Sequence, residues 1–182
     1  MPVYSNSNSL GSQLIEFSLK GIEGRIYSPE SFKDKELLVI IFQCNHCPYV
    51  KAVIDRFVAL QEKYSDKKVQ FVAINPNDAE MYPEDSFENM ILFVEKYKIN
   101  FPYLADDTQQ TAKKYDAVCT PDIYVYDKER KLRYRGRLDD SWKDESRITT
   151  RDLDKAIELL LHGKEIDFQQ IPSMGCSIKW KT

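Results

Sequence analysis

The sequence is short of several things, and each shortage removes a class of function. Lys and Arg total 26 against 29 Asp and Glu, a net charge of -3, so no surplus of positive charge exists to neutralise phosphates. No basic run is interleaved with aromatic residues as in single-strand binders, and nucleic acid is excluded as an expected partner. No long hydrophobic run occurs. The longest, such as Leu37 to Phe42, is strand-sized and far short of the roughly 20 residues that a membrane span needs. The first residues, MPVYSNSNSLGSQ, lack a basic segment and an apolar segment. They do not read as a secretory signal, and a cytoplasmic location is expected. Only four cysteines and two histidines are present in 182 residues, too few for a disulfide-stapled secreted scaffold. A chain of this length has no need of such staples, because one domain spanning 1–182 can bury an adequate core.

What is present reads as alternating strands and helices. Residues 1–13 are rich in Ser and Asn and are expected to form a loose arm. Ile15 to Leu19 and Arg25 to Tyr27 flank Gly21-Ile22-Glu23-Gly24, which predicts a hairpin extension before the main sheet. Leu37 to Phe42 predicts a strand buried on both faces, and Val69 to Ile74 a second. From Pro48, apolar residues recur at helical spacing as Val50, Val53, Ile54, Phe57 and Leu60. A helix opening at Pro83 carries Phe87, Met90, Ile91, Val94 and Tyr97, and a short one spans Thr108 to Tyr115. A hairpin with arms Ile123 to Tyr126 and Lys131 to Arg137 follows, then a helix from Thr149 to Leu161 that ends at Gly163. Residues 163–182 form a tail. The pattern predicts an α/β fold, a central mixed sheet flanked by helices. The 11 Tyr and 9 Phe fall at strand and helix spacings and read as core. Lys63, Lys67 and Lys68 read as a solvated helix end, and His162 as a cap on the last helical turn.

Two cysteines form one C-x-x-C, Cys44-Asn45-His46-Cys47. The motif follows a buried strand and precedes a helix whose start Pro48 fixes between Asn45 and Pro48. Free N–H groups and the helix dipole there favour a thiolate by about 0.3–1 kcal/mol when exposed. Thiolates are the reactive species, so this corner suits thiol chemistry. On this reading Cys44 is the accessible nucleophile and Cys47, more buried, the resolving thiol. An imidazolium at His46 stabilises the Cys44 thiolate and makes the disulfide more oxidising. The same residue types also suit a metal: copper or zinc held by Cys44, Cys47 and either His46 or Cys119. No second C-x-x-C completes a structural zinc site. Cys119 reads as a small buried hydrophobe or an auxiliary thiol. Cys176 reads as a third redox thiol if the tail folds over the site, or as a bystander if Trp180 merely pins the C-terminus.

The order strand, C-x-x-C, helix, then Thr120-Pro121 before a strand resembles the thioredoxin superfamily. Phe42-Gln43-Cys44-Asn45-His46-Cys47-Pro48-Tyr49-Val50 resembles more narrowly its peroxiredoxin-like branch, related to alkyl hydroperoxide reductase and thiol-specific antioxidant. Val118-Cys119-Thr120-Pro121-Asp122, Tyr134 to Asp140 and Pro172 to Trp180 extend the similarity, from about residue 12 to the end. The resemblance implies a thioredoxin-like fold and a thiol-disulfide oxidoreductase. It implies that Pro121 is the cis proline and that the Thr120 backbone pairs with a bound disulfide substrate, protein or small molecule. No cofactor is implied beyond an external thiol reductant. A potential less negative than thioredoxin's, about −270 mV, is expected from the histidine before the second cysteine.

The sequence departs from the pattern at four positions. Leu38 stands where thioredoxins have a buried aspartate, so the proton acceptor for Cys47 is not identified. Gln43 replaces the tryptophan before the first cysteine. Leu37 and Ile41 stand where peroxiredoxins have the proline and threonine of the peroxide pocket, which leaves thiol peroxidase as the alternative activity. The resemblance implies that the strand carrying Arg135 and Arg137 ends near the dithiol, where they would add positive potential.

Overall fold

The computed structural model describes residues 2–6 and 9–182. In chain order its elements are β1 (Val3–Tyr4), β2 (Leu19–Gly21), β3 (Ile26–Tyr27), β4 (Leu37–Phe42), α1 (Pro48–Lys63), β5 (Val69–Asn75), α2 (Phe87–Tyr97) and β6 (Tyr103–Ala105). They continue as α3 (Gln110–Lys114), β7 (Cys119–Thr120), β8 (Asp122–Tyr126), β9 (Leu132–Arg135), α4 (Asp152–Leu161) and β10 (Met174–Ser177). Seven strands form one sheet in the order β3-β2-β6-β5-β4-β8-β9. β4, β5 and β6 run parallel, β8 and β2 flank them antiparallel, and β9 and β3 pair antiparallel with β8 and β2, so the sheet is mixed as expected.

β4 shows why its sequence has no alternation. Leu37, Val39 and Ile41 face a core built with Val50, Ile54 and Phe57 of α1, Met90 and Phe93 of α2, and Leu153 and Ile157 of α4. Leu38, Ile40 and Phe42 face the opposite core, with Ala112 of α3 and with Leu14, Phe17 and Tyr115. Each such side chain contributes about 1.5–3 kcal/mol of burial, and together they fix the strand end that leads to Cys44. Among the described residues no helix is long and apolar enough to cross a membrane.

Several elements differ from the sequence reading. The hairpin is β2 with β3, later and shorter than expected, because Gly21 itself belongs to the strand and Gly24 takes the left-handed turn (φ +88°). Pro83 does not open α2. Pro83–Asp85 is a single 3-10 turn, after which Ser86 is extended (ψ 159°) and caps α2 by accepting the Asn89 N–H. The break leaves Asp85 pointing inward, with consequences given below. α4 begins at Asp152 rather than Thr149, and β6 lies where no strand was expected.

The chain ends differ most. The arm expected to be loose contributes β1, and the tail contributes β10. β1, β10 and β7 form a second, three-stranded antiparallel sheet. Backbone pairing overrides weak local preference here: the Ser5 N–H donates to Ser173 O at 2.9 Å and the Ile178 N–H to Val118 O at 3.1 Å. Ser7, Asn8 and Met1 of the arm lie outside the described residues.

Candidate active site

β4 ends at Phe42 and α1 begins at Pro48, which occupies the first helical position where a missing N–H costs nothing. Cys47 is the N-cap residue (φ −65°, ψ 122°). Its sulfur takes the backbone N–H of Val50, a free donor of the first turn. Cys47, not Cys44, therefore sits on the helix end. Across from it, the Thr120–Pro121 peptide bond is cis. Thr120 Oγ1 lies 3.4 Å from Cys44 Sγ, and the Thr120 carbonyl oxygen 3.2 Å from Cys47 Sγ. The fold thus brings Cys44, Cys47, Thr120 and Pro121 to one point from positions more than 70 residues apart.

Exposure differs from the sequence reading. Cys44 and Cys47 are both 0% exposed, so neither is an open nucleophile. The Thr120 edge expected to receive a substrate is already taken. β10 pairs antiparallel with β7, placing Cys176 opposite Thr120 and Ser177 opposite Cys119. Only Gly175 permits this approach, since a Cβ there would lie 1.9 Å from the Thr120 carbonyl oxygen. Cys176, half-buried, packs against the core that holds the dithiol and hydrogen-bonds with Cys47.

The two buried thiols share their charge. Cys44 donates to the Cys47 sulfur, and further hydrogen bonds from Cys176, Val50 and Thr120 outweigh burial, so the Cys47 pKa falls to about 5. The same bond to Cys47, burial and the nearby Asp85 carboxylate push Cys44 well above the ordinary thiol range. The first proton leaves the pair easily and the second with difficulty, the behaviour of a coupled dithiol.

Asp85 is the residue of this candidate site that sequence reasoning missed. Its Oδ1 accepts the backbone N–H of Asn45 at 2.7 Å and that of His46 at 3.3 Å. Its Oδ2 accepts Asn77 Nδ2 at 2.7 Å and His46 Nδ1 at 2.6 Å. His46 also stacks on Tyr82, ring centroids 5.7 Å apart. The imidazole therefore faces a carboxylate rather than standing alone beside Cys44. One donor atom from each of Cys44, His46 and Asp85 lies within 4.8 Å of the others. Asp85 is a buried carboxylate of the kind absent at Leu38, supplied from another element, and it neighbours Cys44.

The remaining candidates are structural. Cys119 is fully buried, donates to Pro121 O at 3.6 Å, and burial raises its pKa strongly. Arg135 pairs with buried Asp122 at 3.3 Å and Arg137 with Asp152 at 2.6 Å, so neither offers free positive charge to the dithiol. His162 hydrogen-bonds through Nδ1 to the Glu158 carbonyl at 2.7 Å, capping α4 as expected. Gln43 is fully buried, and its side-chain amide has no hydrogen-bond partner among the described residues. A cavity of about 210 Å³ opens beside Pro121, lined by Tyr49, Trp142, Ile123 and Met174 among others.

A dithiol at a strand-to-helix corner, facing a cis-proline loop at the shared end of neighbouring strands β4 and β8, defines a thiol redox site on a thioredoxin-like fold. The chain belongs to the AhpC/TSA family, whose profile matches residues 10–135. It is similar along its whole length to two solved structures. One is an uncharacterized conserved protein from Geobacillus kaustophilus, 47% identical, covering 100% of this chain and 97% of that one, TM-score 0.94. The other is a hypothetical protein from Sinorhizobium meliloti 1021, 38% identical, covering 98% of each chain, TM-score 0.94. The thioredoxin domain of a thiol-disulfide oxidoreductase from Bacteroides vulgatus shares the fold at 17% identity and TM-score 0.65, over 85% of this chain and 99% of that one. A comparison with curated proteins gives no match.

Proposed function

We propose that the protein is a cytoplasmic thiol-disulfide oxidoreductase working through Cys44 and Cys47. The observation that carries this reading is the meeting of both sulfurs with Thr120 at the cis-proline loop, Cys44 at 3.4 Å and Cys47 at 3.2 Å. Cys44 gives its proton to the Cys47 thiolate and attacks one sulfur of a substrate disulfide, forming a mixed disulfide while the other substrate sulfur leaves as a thiolate. Cys47 returns that proton to the departed thiolate and attacks Cys44 Sγ, the bound substrate sulfur leaves and takes a proton from solvent, and the dithiol becomes a disulfide. An external thiol returns two electrons. His46 tunes the potential through its pair with Asp85. The substrate is a protein or small molecule whose disulfide is flanked by an apolar group, which fits the cavity beside Pro121.

A glutathione redox titration of metal-free protein, with thiol trapping and mass spectrometry, tests the reading. A reversible Cys44–Cys47 bond supports it, and a midpoint above about −240 mV credits His46 with tuning. Failure of that bond to form overturns it. Rapid consumption of peroxide with a sulfenic acid on Cys44 would favour the peroxidase alternative instead.

The clustering of Cys44, His46 and Asp85 within 4.8 Å favours a second reading, copper or zinc binding. A metal there must displace hydrogen bonds that Asp85 already accepts from Asn77 and His46. Stoichiometric metal in protein purified without chelator would support it, and metal-free protein would count against it.

A further inference from the structure

The dithiol is reactive by design and closed by position, and the strand that closes it carries a thiol of its own. Cys44 and Cys47 are 0% exposed, while Cys176 is half-buried. Cys176 stands opposite Thr120 in the β7–β10 pairing and packs against the core that holds Cys44 and Cys47, while the Thr120 carbonyl lies 3.2 Å from Cys47 Sγ, so Cys176 is the outer member of a cluster of three sulfurs. The outer one reaches toward solvent.

β10 is not built as a flap. Upstream, Ser173 donates through Oγ to Gly136 O at 2.8 Å, and its N–H donates to Ser5 Oγ at 3.0 Å. Downstream, the Lys179 N–H donates to Asn77 Oδ1 at 2.9 Å, and the Lys179 carbonyl accepts Gln109 Nε2 at 2.8 Å. Between these anchors Gly175 lies against Thr120. Lifting the strand breaks all of these bonds at once.

We propose that Cys176 is the outer member of a three-sulfur exchange chain, attacking Cys47 Sγ of the Cys44–Cys47 disulfide so that the disulfide moves to Cys47–Cys176. This rests on the oxidoreductase reading above and says how its site is re-reduced. The Cys44–Cys47 bond breaks as the Cys47–Cys176 bond forms. Cys44 leaves with the electron pair and takes up a proton in place of the one Cys176 loses, so the step involves no net oxidation. An external thiol then attacks Cys176 Sγ, forming a mixed disulfide there and releasing Cys47 as a thiolate. A second equivalent of that thiol frees Cys176 and departs as the external disulfide, leaving all three sulfurs reduced.

Two measurements on the full chain test the proposal. Cys44→Ser protein is oxidised with diamide, quenched in acid and mapped by mass spectrometry. An intramolecular Cys47–Cys176 disulfide is expected, and Cys176 left open to alkylation overturns the proposal. Stopped-flow re-reduction of the oxidised wild type by glutathione is then compared with Cys176→Ser. A loss of at least about tenfold in rate is expected from removing the accessible sulfur, and equal rates overturn the proposal. If Cys176→Ser does not fold, judged by circular dichroism, the Cys44→Ser mapping decides alone. Absence of any Cys44–Cys47 bond in the oxidised wild type would instead mark failure of the oxidoreductase reading.

Discussion

Asp85 holds His46 by its ring and by its backbone: Oδ2 is 2.6 Å from Nδ1, and Oδ1 is 3.3 Å from the amide nitrogen. One buried carboxylate therefore sets both the path of the C-x-x-C loop and the orientation of its histidine. Asp85→Asn keeps the shape but loses the charge, and it puts an N–H₂ against donors that need an acceptor. A stability loss of about 1–3 kcal/mol is expected from urea unfolding. The Cys44 pKa is expected to fall, because the carboxylate no longer opposes its thiolate. The pH profile of iodoacetamide alkylation of Cys44 reads that shift, and an unchanged profile would refute the electrostatic role.

The low pKa of Cys47 makes the reduced protein's stability depend on pH. Lowered to about 5 in the fold, it contributes stability in full above the unfolded thiol value near 8.5. That contribution is lost as pH falls through about 5. Cys44, shifted upward, contributes with opposite sign only above the ordinary thiol value. Asp122, raised to about 6 by burial, acts equally on reduced and oxidised protein and cancels in their comparison. The urea midpoint of the reduced form, relative to the disulfide form, is therefore expected to fall steadily from pH 8.5 to 5. A flat difference would refute it.

Gly175→Ala places a methyl group 1.9 Å from the Thr120 carbonyl oxygen, a distance no relaxation of one side chain relieves. β10 must shift, with an expected cost of about 1–3 kcal/mol. Alkylation of Cys44 and Cys47 in the reduced protein should accelerate as their cover moves. Unchanged alkylation would show that β10 does not close the site.

Gln43→Leu removes a buried amide that has no hydrogen-bond partner. A gain of about 1 kcal/mol in urea unfolding is expected, since an unsatisfied buried polar group costs about 1–3 kcal/mol. A loss would mean the amide is serving the site.

The parts of the fold that were legible in sequence are those whose pattern is set by local burial. Leu37 to Phe42 had to be central because no face of it is polar, and α1 declared itself through its apolar spacing and Pro48. Both cysteines were legible because they sit at the corner where these elements meet, whereas Thr120 and Pro121 were legible only through the resemblance to the thioredoxin superfamily. β10 was not, because Met174-Gly175-Cys176-Ser177 has little strand preference of its own and becomes a strand only by pairing with Thr120 and with Val3. Asp85 was hidden by the helix pattern around it. Phe87 to Tyr97 is truly helical, and nothing in that spacing says that the turn before it breaks away toward a loop 40 residues earlier.

β10 also imposes an order of events during synthesis. β4, the C-x-x-C loop and the start of α1 leave the ribosome long before residues 174–177 exist. Through most of translation the two thiols have neither their cover nor their third neighbour. A chain lacking residues 174–177 thus presents an uncovered dithiol, and the sheltered site exists only once β10 has paired with β1 and β7.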